Sequence, residues 1–88
     1  MPPNSTIDAH IIALRAMAAA LGDQRLATRF LSLSGMTAPE LRQRASDPRL
    51  LGAFLSFLEA HEPNLIAIAK QIDASPEQLV AARQELEP

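Results

Sequence analysis

The chain has 88 residues, 48% of them apolar and 20% charged, with a formal net charge of −2 and no cysteine. That mixture describes one small globular domain and excludes an intrinsically disordered chain, which would be poor in apolar types and strongly charged. It also excludes a disulfide scaffold or thiolate metal module, a bilayer-spanning run of about 18 apolar residues, and a general nucleic-acid binder, which needs clustered cations for phosphate.

In chain order, residues 1–5 are expected to be a disordered tail. Thr6 can cap a first helix that ends at Leu21, with Gly22 as the residue after its C-cap. This apolar stretch is not expected to be a secretory signal, because Asp8 leads it, Arg15 interrupts it and no cation precedes it. Asp23 can cap a second helix ending near Ser34, followed by Gly35. Thr37-Ala38-Pro39-Glu40 has the form of a capping box and opens a short third helix. Asp47-Pro48 sets a capping carboxylate before a proline at the first helical position, opening a fourth helix that runs to about Ala60. Glu62-Pro63 repeats the arrangement with a poorer cap and starts the fifth. Ser75-Pro76-Glu77-Gln78 is a second capping box, and the last helix runs to about Leu86. Val occurs once and Tyr and Trp not at all, so strand-forming runs are missing.

Apolar periodicity assigns a buried face to each helix. On the first helix it selects Ile7, His10, Ile11, Leu14, Met17, Ala18 and Leu21, with Asp8 and Arg15 opposite. The second offers Leu26, Phe30 and Leu33, with Arg25, Arg29 and Ser32 facing away. On the fourth, Leu50, Leu51, Phe54, Leu55, Phe57 and Leu58 cover more than half the circumference, leaving Arg49, Gly52, Ser56 and Glu59 for water. A helix that apolar belongs at the centre. Leu65, Ile68, Ala69 and Ile72 serve the fifth helix; Leu79, Ala82 and Leu86 serve the sixth. Helices this short are marginal alone and depend on packing. The fold expected is all-α: a single helical domain over 1–88, a compact orthogonal bundle of five to six short helices around Leu50–Leu58.

Candidate chemistry is sparse. His10 has no Glu, Asp or Ser at helical spacing on its own face and reads as a core-edge imidazole. His61-Glu62 would need a second histidine four residues on to resemble a zinc-protease motif, and position 65 is Leu65. His61 reads instead as a group near the carbonyl end of the fourth helix. No serine lies in a Gly-x-Ser-x-Gly turn, and the three glycines are too scattered to cradle phosphate. The sequence therefore points to no catalytic residue, no metal ligand and no cofactor. Leu65–Leu79 has the outline of a helix-turn-helix. Its second helix, however, carries Glu77, Gln78, Glu85 and Glu87 with Arg83 as its one cation, which repels a phosphate backbone.

Charge is unevenly spread. Residues 15–49 hold six arginines against three acids, while residues 50–88 hold two cations against six acids. Such halves can dock to each other, to a second copy or to an acidic partner. Ile12, on the Asp8/Arg15 side, and Ile66, beside Lys70, fall outside their helical patterns. With Arg42, Arg44 and Arg49 they are the candidate contacts with a partner.

The stretch Leu31-Ser32-Leu33-Ser34-Gly35-Met36-Thr37-Ala38-Pro39-Glu40-Leu41-Arg42, followed by Ala45-Ser46-Asp47-Pro48, Leu55-Ser56-Phe57-Leu58 and Ser75-Pro76-Glu77, resembles a small bacterial family, mainly alphaproteobacterial, catalogued as Domain of Unknown Function 3572. The resemblance extends from about Ile7 to Leu86. It implies a soluble, all-helical bacterial protein and carries no activity, cofactor or site residue onto this chain. The function expected from the residues is a non-catalytic, cytoplasmic protein-interaction module, binding a protein partner or its own copy. The alternatives are a helix-turn-helix-like nucleic-acid regulator using Lys70 to Arg83, and a small-ligand binder or enzyme.

Overall fold

A computed structural model describes residues 5–87, with side chains from Asp8 onward. Six helices follow one another: α1 (Ser5–Leu21), α2 (Gln24–Ser34), α3 (Ala38–Gln43), α4 (Pro48–Glu59), α5 (Glu62–Gln71) and α6 (Pro76–Leu86). No strand occurs among the described residues. The Cα radius of gyration is 12.0 Å, the value of about 12 Å expected for a packed domain of this length.

The helix boundaries are set by caps that can be read in the sequence. Asp23 accepts from the backbone N–H groups of Arg25 (3.1 Å) and Leu26 (3.3 Å) and so opens α2. Gly35 closes it in the left-handed region at φ 74°, donating to the Leu31 carbonyl. Both capping boxes form, Thr37 with Glu40 and Ser75 with Gln78. Asp47 caps α4 by accepting from the Arg49 N–H at 2.9 Å.

Three boundaries differ from the sequence expectation. Ser5 is already helical, so Thr6 lies inside the first turn of α1 and does not cap it. The rest of the expected tail, residues 1–4, lies outside the described residues, as does the Ile7 side chain. The N-cap of α5 is His61, not Glu62, and no side-chain cap bond forms there. Gly22 follows α1 but closes a tight turn onto the Ala19 carbonyl without entering the left-handed region, which Gly35 does.

The α5–α6 turn carries the other left-handed residue, Asp73, at φ 59°. Asp73 donates to the Lys70 carbonyl and Ala74 to the Ala69 carbonyl, satisfying the last acceptors of α5.

The core is apolar throughout, with no polar or charged residue buried among those described. As expected, α4 lies at its centre: Leu50, Leu51, Phe54, Leu55 and Leu58 are buried, and α1, α5 and α6 pack on it. The faces of α5 (Leu65, Ile68, Ala69, Ile72) and α6 (Leu79, Ala82, Leu86) are also the expected ones. Gly52, expected on the water side, is buried instead. A Cβ there would lie 2.5 Å from Glu87 Cγ, so a larger residue would make the Glu87 side chain swing aside. Glu87 is fixed in that position by a 3.4 Å hydrogen bond from the Ser56 hydroxyl. Beside it, Arg83 of α6 forms an ion pair with Glu59 of α4.

The largest departure is in α1. Its buried face is Ala9, Ala13, Ala16, Met17 and Ala20, while Ile11 is 49% and Leu21 40% exposed. At 100° per residue this face is turned by roughly 120° from the one picked out by the bulky aliphatics. The reason is α6, which packs along α1 more extensively than any other pair of helices. Alanine side chains allow two helix axes to approach where leucine or isoleucine would hold them apart. Ile12 consequently packs at the core edge and is not an exposed outlier. Arg15, expected to point into water, donates from Nη2 to the Ile72 carbonyl at 2.5 Å and ties α1 to the end of α5.

This arrangement makes a direct prediction. Ala13→Leu overfills the buried alanine face of α1 and costs about 1–3 kcal/mol, read as a fall in Tm of roughly 4 °C or more. Ile11→Gln on the outer face changes stability by less than about 0.5 kcal/mol. The opposite ranking in thermal melts would restore the aliphatic face as the buried one.

Candidate functional site

Leu26, Phe30 and Leu33 share one face of α2, yet Leu26 and Phe30 are buried and Leu33 is 70% exposed. Among the described residues nothing covers the last turn of that face. The helix is anchored further back, where Phe30 meets Phe54 edge-on at 5.3 Å and Phe57 at 5.2 Å between ring centroids. Beyond the anchor, the end of α2 and the outer face of α4 bound an open groove of about 540 Å³. Phe30, Phe57, Leu50 and Met36 line it, Leu33 stands at its edge, and Arg44 and Arg49 provide its charge.

The two arginines are placed by the α3–α4 corner. Thr37 and Glu40 lock the start of α3: the Thr37 backbone N–H and hydroxyl both donate to Glu40 Oε1, at 3.1 and 3.0 Å. Leu41 is the buried anchor of this short helix. Asp47 then organises the corner with its two oxygens. Oδ1 caps α4 at Arg49, and Oδ2 lies 3.4 Å from Arg44 Nη2. The Glu40 carboxyl is held below the usual carboxylate range, first by the Thr37 backbone N–H and then by the Thr37 hydroxyl. The Asp47 carboxyl is held low first by the Arg49 N–H and then by Arg44.

Of the candidate contacts, Arg44 and Arg49 therefore meet at one groove. Arg42 is exposed on α3 and does not line that groove. Ile66, 47% exposed as expected, lies elsewhere, in a groove of about 560 Å³ between α5 and α6. Val80 and Pro76 share its walls, with Glu59, Glu62 and Glu77 around them. Ile12 borders a smaller concavity between α1 and α6, beside Asp8 and Glu85. Ala81 and Gln84 of α6 form the ridge between these two depressions.

Sequence reasoning missed Leu33 as a surface residue. Its helical phase matches that of the buried Phe30, and phase carries no information about whether a neighbour covers the position.

The remaining polar groups do not converge. His10 is half-buried. His61 is exposed at the α4–α5 corner, bordering a small polar depression with Arg25, Arg29 and Asn64, where the Asp23 carboxylate is engaged in capping α2. No group of three or more His, Asp or Glu among the described residues is arranged to hold a metal. No described helix is long and apolar enough to cross a membrane. In the α5–turn–α6 unit, the one cation of the second helix, Arg83, is already committed to Glu59.

Comparison with protein families places the chain. It matches the family described as a protein of unknown function (DUF3572) over residues 6–88 and belongs to that family. No curated protein and no solved structure matches it. Membership brings no activity, ligand or site residue with it, so the function has to be argued from the surface described above.

The acids that build the α3–α4 corner titrate lower in the folded chain than in the unfolded one. Their stabilisation is fully present above the ordinary carboxylate values near pH 4 and is lost as pH falls through the lowered folded values. Tm is therefore expected to drop on acidification below about pH 4. Glu40→Gln combined with Asp47→Asn should flatten that drop, and an unchanged acid limb in the double variant would contradict the assignment.

Proposed function

We propose that this chain is a non-catalytic protein-interaction module whose docking surface is the arginine-rimmed groove between α2 and α4. The observation that carries this reading is Leu33, a residue in phase with the core of its helix and left without cover beside Phe57. Burying a leucine contributes about 1.5–3 kcal/mol, and a few such anchors dominate the energetics of an interface. Arg44 and Arg49 add selectivity, since guanidinium groups at the edge of an apolar surface favour partners carrying carboxylates there. The occupant that fits is an apolar surface flanked by acidic residues.

The competing readings have less support. The groove is an open trough and would cover a small ligand on one side only, whereas ligand sites usually bury most of the ligand surface. Acid–base catalysis draws on desolvated ionisable groups, and the buried positions of the described chain are all apolar. A nucleic-acid regulator built on α5 and α6 would have to present Glu77, Glu85 and Glu87 to phosphate. A cytoplasmic location belongs to the same proposal, and a cysteine-free chain agrees with a reducing compartment.

The test is a tagged pull-down from bacterial lysate, scored for every retained protein, untagged copies of this chain included. Leu33→Asp and Arg49→Glu should each lower recovery about tenfold or more, whereas Ile11→Asp should leave it unchanged. Equal recovery by all variants, or no retained protein at all, would refute the reading.

A further inference from the structure

We infer that the groove serves contact between copies of this chain: Leu33 and its arginine rim on one copy seat in the acid-rimmed α5–α6 groove of the next, head to tail. This inference rests on the reading of the α2–α4 groove as a docking surface and names its occupant.

Three features support the pairing. The first is charge. The six arginines of residues 15–49 outnumber their acids by three, and the acids of residues 50–88 outnumber their cations by four. This imbalance is spatial as well as sequential, because Arg44 and Arg49 border one groove and Glu62 and Glu77 the other. Glu59 is already paired with Arg83 and Arg44 shares Asp47, which leaves Glu62 and Glu77 to meet an incoming guanidinium, that of Arg49 first.

The second is shape. Leu33 projects from the last turn of α2 with most of its surface in water. The α5–α6 groove is lined by Leu65, Ile66, Pro76 and Val80, an apolar pocket inside a charged rim. A projecting leucine flanked by cations is matched by an apolar depression flanked by carboxylates, so a single contact buries both exposed aliphatics and pairs both rims.

The third is placement. On α4, Ala53, Phe57 and Ala60 face the arginine groove, while Glu59 faces the acidic one. At 100° per residue these directions lie about 125° apart around the helix. One copy can therefore give its Leu33 face to one neighbour while its Ile66 face receives another. The contact is heterologous: two different surfaces meet, and each copy in a pair keeps one of each kind free.

Sedimentation of the purified chain tests this. From about 10 µM to 1 mM, the average mass should rise above that of the monomer at low ionic strength and fall back in about 0.5 M salt, where exposed charges are screened within a few ångströms. Leu33→Asp and Ile66→Asp should each remain monomeric at every concentration. Both positions are exposed, and circular dichroism should show both variants folded. Mixed in equal amounts they should form a one-to-one dimer, because the Ile66→Asp copy keeps an intact Leu33 face and the Leu33→Asp copy keeps an intact groove.

A monomeric wild-type chain across that range overturns the inference, as does a mixture of the two variants that stays monomeric, the result expected of a two-fold symmetric contact. Association of either single variant as strong as that of the wild type overturns it too. A monomeric chain that still retains a foreign protein, and loses it on Leu33→Asp, would refute the second-copy occupant while leaving the docking surface in place. Failure of both experiments would remove the surface itself.

Discussion

The contact between α1 and α6 is the constraint on which the rest of the bundle depends. Four alanines spaced along α1 form a stripe with almost no side-chain height, and α6 lies along it. Once α6 is there, its other flank rests on α4, with the Glu87 side chain lying over Gly52. The half-buried Glu59–Arg83 ion pair and the exposed Ser56–Glu87 hydrogen bond then join the same two helices. Contacts of this kind are individually weak where water reaches them. They follow from an approach that the small residues make possible, and they fix its register.

The same packing decides which surfaces remain open. With α6 on the alanine face and α4 beneath, α1 leaves Ile11 and Leu21 toward water. The second helix is joined to the body at its start and middle, through Leu26, Phe30 and the two phenylalanines of α4. Its last turn runs past that support. A longer α3 could have folded back over it, but α3 has six residues and a single buried anchor, Leu41. The uncovered groove is therefore a consequence of helix lengths. Its positive rim follows from the cap that starts the next helix, since Asp47 holds Arg44 with one oxygen and the α4 N-terminus with the other.

Much of this is written locally in the sequence. A cap is a short-range device: Thr37 with Glu40, Asp47 before Pro48 and Ser75 with Gln78 each announce a helix start from neighbours three residues apart. The central position of α4 is legible for a similar reason, because a helix apolar around most of its circumference needs partners on most sides. The face of α1 is not legible in that way. Alanine is weakly apolar and small, so a pattern weighted by bulk selects Ile11, Leu14 and Leu21, while close packing selects Ala9, Ala13, Ala16 and Ala20. Which criterion prevails depends on α6, more than fifty residues away. Leu33 shows the complementary limit, because periodicity fixes the direction of a side chain and tertiary structure decides whether anything lies in that direction. Ile12 was misplaced with the face of α1, whereas Ile66 was placed correctly because α5 packs on its expected side.

The uneven charge of the chain gains meaning from this geometry. Arginines clustered in one part of a sequence and acids in another could be brought together by folding and neutralise each other within one molecule. Among the described residues only one ion pair links helices distant in sequence, Glu59 with Arg83, and both of its members come from the acidic part. Arg44 is met by its neighbour Asp47, Arg49 engages Asp47 through its backbone N–H alone, and Glu62 and Glu77 stand exposed around Ile66. Folding has therefore kept the two signs apart and set each beside an exposed aliphatic side chain. A charged rim around an apolar centre is the usual composition of a protein–protein contact. Two such surfaces of opposite sign on one small domain are complementary to each other, which is why a second copy of the chain is the first partner to consider.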